Sequence, residues 1–245
     1  MTQTHPEPTP AVPAEAQQSA TVRAHYDHVA AEYDALETQF ERGPYSRWRR
    51  RLWSQVRGPQ VLEVGVGTGK NIPYYPEAST VTAIDFSPGM LARAGRRAAA
   101  LHASVELRAM DAEHLTFPDH TFDTVIATFV FGSVPDPVCA LREVGRVVKP
   151  GGQVLLLEYV RPAGVLGTLV DVLNPLVFRV YGATINRHTA ENVRQAGLII
   201  DDIQPFWRGM VQMITAQSTD DRVSVANTAP VATTPNHRGG GADRA

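Results

Sequence analysis

The segment Val61-Leu62-Glu63-Val64-Gly65-Val66-Gly67-Thr68-Gly69-Lys70-Asn71 constrains this chain more than any other. A short apolar run meets three glycines at alternating positions and then a helix-compatible stretch. Glycines between a buried strand and a helix serve two ends. They reach backbone angles closed to other residues, and they let a ligand approach the main chain closely. Two common users of such loops do not fit. A phosphate-cradling G-x-x-x-x-G-K-[ST] loop ending at Gly69-Lys70 needs glycine at 64 and Ser or Thr at 71, where the chain has Val64 and Asn71. A dinucleotide-type G-x-G-x-x-G loop starting at Gly65 needs its third glycine at 70, where Lys70 stands.

The rest of the chain alternates strand-like and helix-like segments. Strand candidates are 60–64, 80–85, 104–109, 123–130, 153–159, 197–204 and 210–216. Ser87-Pro88 supplies an N-cap and a first-turn proline to one helix, and Asp136-Pro137 repeats the device for another. Lys149-Pro150-Gly151-Gly152 ends that second helix and turns into the next strand. Alternation of this kind predicts a mostly parallel sheet with helices on both faces. The last two strands are joined around Pro205-Phe206 by a connection too short for a crossover, so they are expected to pair antiparallel. Two helical segments, 21–37 and 45–57, precede the first strand. In the second, Tyr45, Trp48, Leu52 and Val56 form one face and Arg47, Arg50 and Arg51 the other.

Both ends read as tails. Residues 1–20 and 217–245 have few large apolar residues and no period, so they cannot offset the entropy of ordering and are expected to be disordered. The net charge of -2 excludes attachment to nucleic acid by bulk charge. Cys139 is the single cysteine, which removes disulfides and Cys-rich zinc sites. With no apolar leader at the N-terminus, a cytoplasmic address is expected. His114, His120 and His188 lack metal-ligand spacing, so no metal is expected.

The pattern E-x-G-x-G-x-G over Glu63 to Gly69 resembles motif I of the class I S-adenosylmethionine (SAM) methyltransferases. A carboxylate at Glu63 would repel a pyrophosphate and suits a ligand carrying an ammonium and a sulfonium. Further features follow in order. Asp85 ends the second strand, where an acidic residue accepts ribose hydroxyls, and Phe86 comes next. Asp111-Ala112 ends the third strand. Phe122 to Phe129, with Thr128 at the strand end, resembles motif IV, and Arg146 to Gly152 resembles the turn that follows it. The resemblance implies a Rossmann-like, seven-stranded, mostly parallel sheet with an antiparallel last strand. It implies SAM held by Glu63, Gly65, Gly67, Gly69, Asp85, Phe86, Asp111, Ala112 and Thr128, with S-adenosylhomocysteine as product. A nucleotide-linked oxidoreductase is disfavoured by the shifted third glycine. A non-catalytic SAM-binding regulator is separated from an enzyme only by turnover.

The outer segments bear on the acceptor. His25-Tyr26-Asp27 and Glu32-Tyr33-Asp34 resemble the lid helix of methyltransferases that act on quinones and lipids. Phe131 to Pro137, Leu156 to Glu158, Asn174-Pro175-Leu176 and Ile185 to Thr189 are similar to the soluble bacterial phosphatidylethanolamine N-methyltransferases. Gly132 and Tyr159 depart from that pattern, where a larger residue and a histidine are common. Between 165 and 181 the apolar residues form a wide helical stripe, and Pro175 should kink or divide the helix. Such a stripe must meet the core, a hydrophobic ligand, a partner chain or a membrane interface. The resulting layout is lid helices 21–57, a SAM-binding core 58–160, an apolar substrate-side insert 161–188, and a final helix and strands 189–216. The acceptor is expected to be lipid-like or a small molecule, with Tyr33, Asn186 and His188 as candidate catalytic residues. Arg47, Arg49, Arg50 and Arg51 beside Trp48 and Trp53 are either a solvated face or an attraction to anionic membrane, which would make the protein peripheral there.

Overall fold

The computed structural model describes residues 41–181 and 184–219. The expected helix over 21–37 with Tyr33, and most of both expected tails, lie outside the described residues. The strands are β1 (Gln60–Val64), β2 (Thr80–Asp85), β3 (Glu106–Ala109), β4 (Phe122–Thr128), β5 (Val148–Tyr159), β6 (Ile199–Phe206) and β7 (Val211–Gln217). They form one seven-stranded sheet in the order β3-β2-β1-β4-β5-β7-β6. Five neighbours from β3 to β5 run parallel. β7 slots between β5 and β6, antiparallel to both. The Rossmann-like expectation therefore holds, including the antiparallel last strand.

The helices are α1 (Ser46–Trp53), α2 (Pro88–Ala100), α3 (Pro137–Val147), α4 (Gly164–Tyr181) and α5 (Thr189–Gln195). Both expected N-caps form. Ser87 Oγ accepts from Met90 N at 3.1 Å, and Asp136 Oδ1 accepts from Val138 N and Cys139 N at 3.0 and 2.9 Å. Side chains alternate across the pleat and build two cores. Leu62, Val64, Val125 and Leu156 pack with Leu141 and Val144 of α3 and Val193 of α5. Val61, Ile126, Leu155 and Met213 face the other way, against Leu52 and Trp53 of α1. Ala94 and Ala98 of α2 pack on Ala83 and Val66.

One expectation is corrected and one is narrowed. The helix predicted over 45–57 is shorter, and its buried residues are Arg49, Leu52 and Trp53. α4 is one helix that runs through Pro175 rather than dividing there, forgoing the bond that proline cannot donate. Among the residues of 164–176, Val170 and Gly167 are buried, while Val165, Leu169, Val172, Leu173 and Leu176 are 45–88% exposed. The core is thus not the destination of these five residues of the stripe.

Candidate functional site

The chain goes outward from β1 to β2 and β3, then crosses back to β4, so a crevice opens at the carboxyl ends of β1 and β4. A cleft of about 1010 Å³, counted to its open mouth, occupies this place. Its wall includes Gly65, Gly67, Asp85, Phe86, Asp111, Ala112 and Thr128 of the sequence-predicted residues. Gly67 has φ +54° and its missing Cβ would meet nothing within 4 Å, so bare backbone faces the cleft. Gly69, by contrast, is not on the wall. A Cβ there would come within 2.6 Å of Ile72 Cδ1 and 3.1 Å of the Ala94 backbone, so this glycine admits α2 to close packing.

Asp85 is buried at the end of β2. One oxygen accepts from Gly67 N at 2.8 Å and the other from Ser87 N at 2.9 Å. Both oxygens of this carboxylate therefore hold main-chain N–H groups of the loops that flank the cleft. Asp111 accepts from Glu113 N at 3.0 Å. Asp111, Glu113 and His114 bring one potential metal-ligand atom each to within 4.8 Å of one another, a proximity that histidine spacing did not foretell. Glu113 also holds Asp136 N at 2.7 Å, so two of these carboxylates already order loop backbone.

Glu63 sits one layer behind the wall. It is fully buried, accepting from Asn71 Nδ2 at 2.6 Å and from the Tyr75 hydroxyl. Burial pushes its carboxyl up to about 7, against the pull of the Tyr75 and Asn71 hydrogen bonds and the Arg49 charge. Asn71 is the lining residue in front of it. The same amide reaches Thr128 Oγ1 at 3.0 Å and accepts from Arg49 Nη1 at 2.9 Å. Arg49 and Asn71 are site residues that sequence reasoning missed. Asn71 had counted only as the wrong residue for a phosphate loop, and Arg49 only as one of a charged run.

The far wall is the segment after β4. Phe129 takes φ +58°, and Val130, Ser133, Val134 and Pro135 line the cleft after it. Glu158, at the end of β5, holds this turn by accepting from Val130 N and Phe131 N at 2.9 and 3.3 Å. Burial pushes its carboxyl up to about 7, opposed by those bonds and by the charge of Arg187. Arg187 in turn donates to Val134 O at 2.9 Å. Behind the wall, Phe129 packs on Tyr159 and Tyr45, whose hydroxyls are 2.6 Å apart.

α4 leaves and returns at this wall. Thr184 N donates to Gly132 O at 2.9 Å, and a Cβ on Gly132 would lie 2.6 Å from Thr184 O, which gives the glycine there a local reason. Asn186 and His188 do not line the cleft. Asn186 Nδ2 donates to Asp171 Oδ1 at 3.1 Å and ties its loop to α4, where Arg161 also grips Asp171 at 2.8 Å. His188 is exposed at the residue before α5 and makes no side-chain cap.

Residues 62–156 match the methyltransferase domain family. The chain is 35% identical over 173 residues to a demethylmenaquinone methyltransferase of Renibacterium salmoninarum, covering 69% of this chain and 70% of that protein. It is 45% identical over 130 residues to a phosphatidylethanolamine N-methyltransferase of Cereibacter sphaeroides, covering 51% of this chain and 64% of that protein's length. The fold matches the crystal structure of the [4+2]-cyclase SpnF with a TM-score of 0.67 at 20% identity, over 82% of this chain and 97% of that one. With the motif I loop on the wall of a crevice at the β1–β4 switch point, the chain belongs to the SAM-dependent methyltransferases.

Proposed function

We propose that this protein transfers a methyl group from SAM to a hydrophobic or lipid-like acceptor, with the amine of phosphatidylethanolamine as the leading candidate. The observation that carries the reading is the exposed apolar face of α4, joined by backbone and side-chain bonds to the far wall of the cleft. An amphiphile can rest its tail on that face while its head reaches the wall. The residues at the cleft fit SAM: bare backbone at Gly67 admits close approach, and Asp85 puts a carboxylate on the wall at the end of β2, where a ribose diol can donate to it. In this reading Asp111 and Ala112 take the adenine and Phe86 lies against it, while Gly65 and Thr128 border the amino-acid arm. Glu63 supports Asn71 from behind, and Gly69 seats α2.

SAM supplies an electrophilic methyl on sulfur, so the chain's own task is orientation and exclusion of water. Phe129 and Val130, fixed by Glu158, shape the side from which the acceptor enters. Among the described residues lining the cleft there is no histidine, and the carboxylates are Asp85 and Asp111. An amine acceptor therefore loses its proton to solvent, with Tyr33, Asn186 and His188 as positioning residues, Asn186 through its bond to Asp171 of α4. Exposed Arg47, Arg50 and Arg51 on α1 and half-exposed Trp207 lie near the same sheet edge, since Trp48 packs on Phe206. They suit peripheral contact with an anionic bilayer. No helix of the described residues is long and apolar enough to cross a membrane.

Similarity to the menaquinone enzyme favours C-methylation of a quinone precursor as the second reading. The test offers methyl-labelled SAM to the protein with phosphatidylethanolamine vesicles, with a demethylated quinone in neutral vesicles, and with a soluble metabolite extract. Label in the phospholipid supports the leading reading, and label in the quinone supports the second. Label confined to soluble acceptors overturns both, and tight SAM binding without turnover points to a regulator.

A further inference from the structure

Arg187 belongs to the stretch Ile185 to Thr189, and the scheme above gives it no task. It is half-buried in the chain returning from α4. Its Nη2 donates to Val134 O at 2.9 Å, while its Nε is buried and makes no hydrogen bond among the described residues. Burial pulls the guanidinium below its usual range, and the charges of Glu158 and Asp136 oppose that pull. An aliphatic side chain would fill this place without leaving a buried N–H unpaired. Packing alone does not account for a cation here.

The residues 184–187 face two ways. Thr184 and Arg187 hold the far wall: Thr184 N and Oγ1 donate to Gly132 O at 2.9 and 3.0 Å, and Arg187 reaches Val134 O. The two residues between them hold α4: Ile185 N donates to Asn174 Oδ1 at 2.9 Å, and Asn186 Nδ2 to Asp171 Oδ1 at 3.1 Å. This loop is thus a bracket, with the outward apolar helix on one side and the wall of the cleft on the other. Arg161 N, donating to Arg187 O at 3.0 Å, pins the bracket to the exit of β5. Val134 lines the cleft, so Arg187 is the end of the bracket that meets the wall. A guanidinium suits that end, because its charge strengthens the bond to a carbonyl and its planar fork fixes the direction.

We propose that Arg187 is a positioning residue that keeps α4 and the cleft wall in register, and so makes the site selective for acceptors with a long apolar tail. The proposal rests on the lipid-like acceptor of the reading above. A tail resting on α4 directs its head only if helix and wall move as one body. Without the bond to Val134 the head is less well aimed, and a misplacement of about 1 Å can cost about a hundredfold in rate. An acceptor with a short tail takes little direction from α4 and has less to lose.

The experiment measures methyl transfer from labelled SAM to dioleoyl and to dioctanoyl phosphatidylethanolamine in the same detergent micelles, or to long- and short-tailed demethylated quinones where the quinone is the acceptor. R187M should lower turnover of the long-tailed acceptor about ten- to a hundredfold and the ratio of long- to short-tailed turnover about tenfold, with affinity for S-adenosylhomocysteine within about threefold. R187K, which keeps the charge without the fork, should show a smaller loss with the same selectivity for the tail, and it decides alone should R187M fail to fold. Equal losses with both tails overturn the proposal, as does a matching loss of S-adenosylhomocysteine affinity or a tail preference that neither variant changes. A wild-type protein that methylates neither tailed acceptor, or that ignores the tail, removes the lipid reading itself, and the proposal with it.

Discussion

The main-chain N–H of Gly67 donates to Oδ2 of Asp85 across 2.8 Å, so the carboxylate that ends β2 also holds the loop that follows β1. In the proposed function, cofactor contact and loop geometry therefore share one side chain. Its other oxygen receives Ser87 N, at the entry to α2.

Asp85→Ala should consequently affect two measurements. We expect affinity for S-adenosylhomocysteine to fall about ten- to a hundredfold, and stability to fall by about 1–3 kcal/mol because two loop N–H groups lose their acceptor. Titration calorimetry and denaturant unfolding check these. Unchanged affinity in a folded variant would show that the carboxylate serves the loop alone.

Gly65 and Gly67 both take positive φ, but their surroundings differ. A Cβ on Gly65 would come within 2.4 Å of Val130 Cγ2, whereas one on Gly67 would meet nothing within 4 Å. Gly67→Ala should cost about 1–2 kcal/mol of backbone strain. Gly65→Ala should add about 1–3 kcal/mol of overpacking and displace the Phe129–Val130 wall. Equal stability of the two variants in urea would contradict the assignment.

Glu158 gives a pH signature. Its carboxyl titrates near 4.5 when unfolded and is raised to about 7 in the fold, mainly by burial. Between those values the folded state binds the extra proton, so its contribution to stability is complete below pH 4.5 and lost as pH rises toward 7. Glu158→Gln should flatten the melting temperature across this window. Glu63 shifts in the same direction and should account for part of the remaining slope. An unaltered profile in Glu158→Gln would place the pH dependence elsewhere.

On α4, Leu169 and Leu173 are 54% and 45% exposed while Val170 is 4% exposed. Leu169→Asp and Leu173→Asp should leave the melting temperature within a few degrees and preserve S-adenosylhomocysteine binding, yet reduce methyl transfer to vesicle lipid severalfold. Val170→Asp should destabilise, since it buries an unpaired charge. Lipid turnover unchanged in both leucine variants would remove α4 from acceptor binding.

Much of this architecture is written in local signals. Ser87-Pro88 and Asp136-Pro137 mark the starts of α2 and α3 because a cap and a fixed φ act within one turn. The glycine spacing marks the loop for the same reason. Arg49 was not legible, because four arginines in five positions carry no period, and its partners Asn71 and Phe129 are remote in sequence. Glu63 was read as a direct ligand group because residue type alone cannot show that Asn71 and Tyr75 enclose it. Asn186 and His188 are sequence candidates for the acceptor side; neither lines the cleft, and Asn186 bonds Asp171, a partner 15 positions away that spacing does not reveal. The destination of the α4 stripe was open in the sequence, since helical periodicity tells which residues share a face and not what covers it.

Two main-chain bonds close the base of the α4 excursion: Arg161 N to Arg187 O at 3.0 Å, and Thr184 N to Gly132 O at 2.9 Å. Between those staples Val170 is buried and Asp171 holds Arg161 and Asn186, while Val165, Leu169, Val172, Leu173 and Leu176 face outward, so their side chains can change while the staples keep the far wall registered against the sheet. Under the proposed function, those outward positions of α4 are where acceptor range would diverge, apart from the glycine loop between β1 and α2.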